Sequence, residues 1–138
     1  MKLANLPSGG REGALVVVLR DLTRAVSADR VAPTLQNALD LWTEVEPALR
    51  DLAHAAERGG PDSRPFDPAA ALAPLPRAWQ WLDRSAFPSH GQLMPKACKH
   101  PPIESDGPLM YLGLSHRFLS GSQDVALPRE EDGIDRRC

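Results

Sequence analysis

Apolar residues come in short bursts along this chain, and each burst has a period that suggests an element. Leu3-Ala4-Asn5-Leu6 and Ala14-Leu15-Val16-Val17-Val18-Leu19 flank a glycine-rich stretch, Gly9-Gly10-Arg11-Glu12-Gly13. The valines favour extended backbone and the glycines can take positive φ, so the pair predicts a β-hairpin. Asp21 to Pro33 reads as a connector. Thr34 is a good N-cap, after which Leu35, Ala38, Leu39, Trp42 and Val45 recur at helical spacing. Pro47 breaks one helix but suits the first turn of another, so the second is expected to start after Glu46. It carries Leu49, Leu52, Ala53 and Ala56 on one face and stops at Gly59-Gly60.

Beyond Gly59 the pattern changes. Residues 59–73 read as a linker with a short apolar patch, followed by proline-punctuated extended chain through Trp79-Gln80-Trp81-Leu82-Asp83-Arg84-Ser85-Ala86-Phe87-Pro88-Ser89-His90. Leu109 to Leu114 predicts a strand, and the charged tail from Arg129 is expected to fray. There is no internal repeat.

Composition narrows the class. With 138 residues, 42 % hydrophobic and 25 % charged, the chain suits one ordinary domain or a small domain and the start of another. Sixteen basic and eighteen acidic side chains give a net charge of -2, and no basic run or aromatic-basic interleaving predicts a nucleic-acid surface. The longest apolar run, Ala14 to Leu19, is too short for a membrane span. No signal-peptide core follows Met1-Lys2, so a cytoplasmic protein is expected. Cys98 and Cys138 belong to no Cys-x-x-Cys motif, and no structural disulfide is expected.

Several patterns suggest chemistry that their surroundings do not support. Gly9 and Gly10 lack the Gly-Lys-Ser/Thr ending of a phosphate-binding loop and read as a turn. Cys98-Lys99-His100 with His90 has poor zinc-ligand spacing. Ser115 has no nucleophile-elbow context, and His54 beside an apolar stripe reads as structural. Asp83 and His90 are the remaining pair, seven positions apart on a stretch holding two of the three tryptophans. Pro88 disfavours a continuous helix between them. A bent loop over an apolar floor of Trp79, Trp81 and Phe87 could bring acid and imidazole together. The alternative is a surface aspartate and a partly buried histidine.

A collinear set of segments resembles the bacterial fumarylacetoacetate hydrolase family. These are Met1-Lys2-Leu3-Ala4, Gly9-Gly10-Arg11-Glu12-Gly13, Leu15-Val16-Val17-Val18, and Ala32-Pro33-Thr34-Leu35-Gln36-Asn37-Ala38-Leu39-Asp40. Phe66-Asp67-Pro68, Ala73-Pro74-Leu75-Pro76-Arg77-Ala78-Trp79-Gln80-Trp81, Pro108-Leu109-Met110-Tyr111, Phe118-Leu119 and Gly133-Ile134-Asp135 continue the series. The resemblance implies a small N-terminal domain followed by a mixed β-roll catalytic domain. It also implies hydrolysis of a carbon-carbon bond in small β-diketo acids, with fumarate and acetoacetate released in the namesake reaction of aromatic amino-acid catabolism. In such enzymes Mg2+ or Ca2+ polarises the diketone while a histidine activates water. By resemblance Asp83 falls on the early metal-ligand aspartate, His90 on the general base and Tyr111 on a tyrosine that contacts the substrate carboxylate.

Departures from the family pattern limit what the chain can do alone. The family runs from Gly-Ile-Asp into Phe-Glu-x-Glu, whose glutamates bind the metal, whereas Arg136-Arg137-Cys138 follow here. Glu130 and Glu131 are adjacent, so on a strand they point to opposite sides and cannot replace that pair. Gly91 and Pro95 interrupt the helical stretch that usually follows the histidine. The resulting expectation is an α+β chain. Residues 1–72 form a small N-terminal domain, a β-hairpin plus two short helices, and residues 73–138 the truncated, incomplete opening of the β-roll. A stop or frameshift near Asp135 is the expected origin of the ending. Such a chain is expected to be inactive by itself and not to bind the metal. A non-catalytic interaction module, docking through Trp79, Trp81 and Phe87 onto a full-length relative or forming a homo-oligomer, is the alternative. A complete small enzyme would need Glu130, Glu131 or Asp135 as ligands.

Overall fold

The computed structural model describes residues 1–60, 62–85, 87–99, 101, 107–126 and 129, without the side chains of His90, Met94 and Cys98. It forms two units: Met1–Arg77 with the described residues from Phe118 onward, and Ala78–Arg117. The architecture is α+β.

In the first unit β1 (Lys2–Leu6) and β2 (Ala14–Val18) make the expected antiparallel hairpin, with Leu3 opposite Val17 and Asn5 opposite Leu15. The connector expected from Asp21 to Pro33 instead contains β3 (Arg24–Ser27), paired antiparallel to β2. Its turn is closed locally. The Asp21 carboxylate accepts from the Thr23 N–H at 3.0 Å and from the Thr23 hydroxyl at 2.9 Å, while Leu22 takes a left-handed φ of 62°. A two-residue strand, β4 (Arg64–Pro65), completes the order β1-β2-β3-β4.

β2 is apolar without alternation because both of its faces are covered. Leu15 and Val17 face α1 (Leu35–Asp40) and α2 (Trp42–Glu57) in a core with Ala28, Ala32, Ala38 and Leu49. Val16 and Val18 pack on the opposite face with Ala25, under Ala4, Leu6 and Phe66. Residues 59–73 are therefore not a plain linker. Phe66 covers the second face, its N–H donates to Thr23 O at 2.8 Å, and Pro68–Ala70 form a 3-10 turn capped by Asp67.

The two helices are present, but they divide at Leu41 and not at Pro47. Thr34 caps α1, its Oγ1 accepting from the Asn37 N–H at 3.1 Å. Pro47 lies within α2, where it removes the bond its N–H would have made to Thr43. Thr43 is exposed, so water can satisfy that carbonyl. At the far end Gly59 is left-handed, with its N–H to Ala56 O at 3.0 Å and the Gly60 N–H to Ala55 O at 3.2 Å. This double closure is a Schellman motif, and it explains why the helix stops where the glycines predict.

The second unit contains β5 (Trp81–Ser85), α3 (Pro88–Cys98) and β6 (Leu109–Gly113), the two strands pairing antiparallel. Pro88 opens α3 at a first-turn position where no N–H is required. Gly91 and Pro95 do not interrupt the helix, contrary to the sequence expectation. No described residue of this unit is buried. Among the described residues no helix is long and apolar enough to cross a membrane.

Candidate functional site

Strand alternation places Trp81, Asp83 and Ser85 on one face of β5. Pairing brings Gly113, Tyr111 and Leu109 opposite them in that order. Asp83 and Tyr111, far apart in sequence, are thus direct cross-strand partners. Directly opposed Cβ atoms on such a face are about 4.5–5.5 Å apart, close enough for a carboxylate and a phenol to engage one polar ligand. Asp83 is half-buried and Tyr111 exposed.

Aromatic packing fixes the neighbouring position. The Trp81 and Tyr111 rings meet edge to face, with centroids 5.8 Å apart and planes at 80°. Glycine at 113 permits this, because a Cβ there would lie 2.0 Å from Trp81 Cε3. A floor of Trp79, Trp81 and Phe87 does not form. Trp79 is 84 % and Phe87 79 % exposed, and only Trp81 has an aromatic partner among the described residues.

His90 lies in the first turn of α3, so Asp83 and His90 belong to a strand and a helix and not to one bent loop. The His90 side chain lies outside the described residues, as do His100, Glu130, Glu131 and Asp135 and the side chain of Cys98. Among the described residues no three of His, Cys, Asp and Glu are grouped so that they could hold a metal ion. Asp83 offers one carboxylate, while Mg2+ or Ca2+ takes six or more oxygens. The described residues therefore do not fit a resident hard cation. His54 is exposed in the last turn of α2 and lines a recess.

Sequence reasoning missed Asn5, which is 1 % exposed. Its Nδ2 donates to Pro74 O at 2.6 Å, and its backbone carbonyl accepts from the Leu72 N–H at 2.9 Å. Together these bonds hold residues 72–74 to the free side of β1. Arg77 and Glu12 form an ion pair a few residues further on. The available signal was a polar residue at an inward position of an alternating strand.

The family model described as fumarylacetoacetase N-terminal domain 2 matches residues 1–77, more than half of the chain. It ends one residue before the second unit begins, so Asp83, His90 and Tyr111 lie outside the matched segment. No curated protein matches the chain.

Proposed function

The chain belongs to the fumarylacetoacetase N-terminal domain 2 family, and from that premise we propose that it is the N-terminal part of a fumarylacetoacetate hydrolase-type enzyme. Its reaction class would be hydrolysis of a carbon-carbon bond in a small β-diketo acid. The single observation that carries this reading is the family match over residues 1–77. The cross-strand pairing of Asp83 with Tyr111 supports it, because it puts an acceptor and a donor side by side just beyond the match. In this reading Tyr111 donates to the substrate carboxylate, and His90 is the water-activating base of the assembled enzyme. Asp83 is one member of a ligand set that the described residues do not complete.

In this reading the chain by itself gives no turnover. The test is release of acetoacetate from fumarylacetoacetate, and of pyruvate from acetylpyruvate, by the purified chain with Mg2+ or Ca2+. No turnover above the metal-only control is expected. Turnover that disappears in His90→Ala contradicts the proposal.

A second reading, a non-catalytic module that docks onto a full-length relative, is favoured by one observation: Trp79, Phe87 and Leu114 are each at least 79 % exposed. A partner that covered these side chains would remove their apolar surface from water. Sedimentation showing a folded monomer that ignores an active relative would remove this reading.

A further inference from the structure

In the first unit α2 turns one face toward the end of β2. Arg50, Ala53, His54 and Glu57, spaced i, i+3, i+4 and i+7, line a recess of about 90 Å³ with Val18 and Arg20. We propose that this recess binds a small oxyanion, a carboxylate or a phosphate group, through the Arg20 and Arg50 guanidinium groups with His54 as an additional donor. It shares no residue with the set assigned to hydrolysis and does not depend on that assignment.

The charges favour an anion. Met1 and Ala53 add apolar side chains to the lining, and a less polar surround strengthens electrostatic contacts. Glu57 is the opposing charge, and one of its oxygens is already engaged, accepting from the Arg20 N–H at 2.8 Å. Lys2 Nζ donates to Arg20 O at 2.7 Å, adding a cation beside the rim. Arg50 is paired with Glu46 through Nε, so the pair does not use the two terminal nitrogens of the Arg50 fork. Among the described residues the Arg20 guanidinium has no ion-pair or hydrogen-bond partner. Arginine forks suit the paired oxygens that a carboxylate or a phosphate presents.

The probes are inorganic phosphate and acetate, titrated at constant ionic strength while the amide resonances of Ala53 and His54 are followed by NMR. Saturable shifts with a Kd of about 1–10 mM are expected for at least one probe, and the tighter of the two identifies the preferred head group. Arg20→Ala and Arg50→Ala each weaken that binding about tenfold, whereas Glu57→Gln tightens it. Both arginines are exposed, so these variants keep the fold, which circular dichroism checks. Shifts that never saturate, that chloride reproduces at equal strength, or that survive in both arginine variants overturn the proposal.

Discussion

Replacing Asn5 by Asp changes one donor atom in the most buried polar site described for the first unit. The Nδ2 that donates to Pro74 O at 2.6 Å becomes an oxygen facing an oxygen. With Asn5 1 % exposed, the new carboxylate cannot turn to solvent. Burial of that degree raises a carboxyl pKa by about 3–5 units, which at 1.36 kcal/mol per unit costs about 4–7 kcal/mol once the group must ionise. The protonated acid is different, because its O–H can donate to Pro74 O and restore the lost bond. The folded pKa thus lies above the unfolded value of about 3.9. The penalty is absent below about pH 4 and grows as pH rises toward the folded pKa. Asn5→Ala serves as the reference. It removes the same donor without a titrating group and costs about 1–3 kcal/mol at every pH. Urea unfolding of parent and variants from about pH 4 to pH 8 reads both effects as midpoint shifts at constant m. A difference between Asn5→Asp and parent that is flat with pH, or smaller than about 0.5 kcal/mol, refutes the reasoning.

Two further substitutions probe the turns. Gly13 has φ +68°, and an added Cβ would lie 2.6 Å from Leu6 O and 2.7 Å from Leu72 Cδ1. Gly13→Ala should therefore cost about 2–5 kcal/mol, the left-handed penalty plus displacement of backbone. Gly9→Ala, at φ +78° with nothing within 4 Å, should cost only about 1–2 kcal/mol, and thermal unfolding compares them. Asp21 is held below the ordinary aspartate value of 3.8, chiefly by the Thr23 N–H and then by the Thr23 hydroxyl. Its stabilising contribution is present above pH 3.8 and is lost as pH falls below that value through the lower folded pKa. The stability gap between parent and Asp21→Asn should therefore shrink on acidification, and a constant gap would contradict the assignment.

Local signals explain what the sequence revealed. The β1–β2 hairpin, the Thr34 cap, the Gly59-Gly60 stop and the strand at Leu109 each depend on nearby residues, and each could be read from them. β3 has only Ala25 and Val26 between two polar ends, too little for a periodic signal, and forms because β2 offers it an edge. β4 is two residues long and is paired by register with β3 alone. The helix division at Leu41 has no turn residue to announce it. It follows from packing, with Ala38 and Leu49 both fully buried in one core. α3 runs through Gly91 and Pro95, so propensity argued against a helix that the chain nevertheless forms.

The candidate site divides in the same way. Asp83 and Tyr111 could be named individually from their similarity to a family, but their direct opposition across β5 and β6 is a matter of register, which no local pattern gives. Gly113 carried a signal, a glycine inside a strand, and its reason emerged only with the Trp81 ring lying against it.

The central claim is that residues 1–77 form the N-terminal domain of a fumarylacetoacetate hydrolase-type enzyme. Its most direct test joins residues 1–77 to the catalytic region of an active enzyme of that type, in place of the enzyme's own N-terminal domain, and measures kcat/KM for fumarylacetoacetate. A folded chimera within about tenfold of the parent enzyme, equivalent to about 1.4 kcal/mol of transition-state stabilisation, is the predicted result. A folded chimera without turnover, beside an active parent, would contradict it.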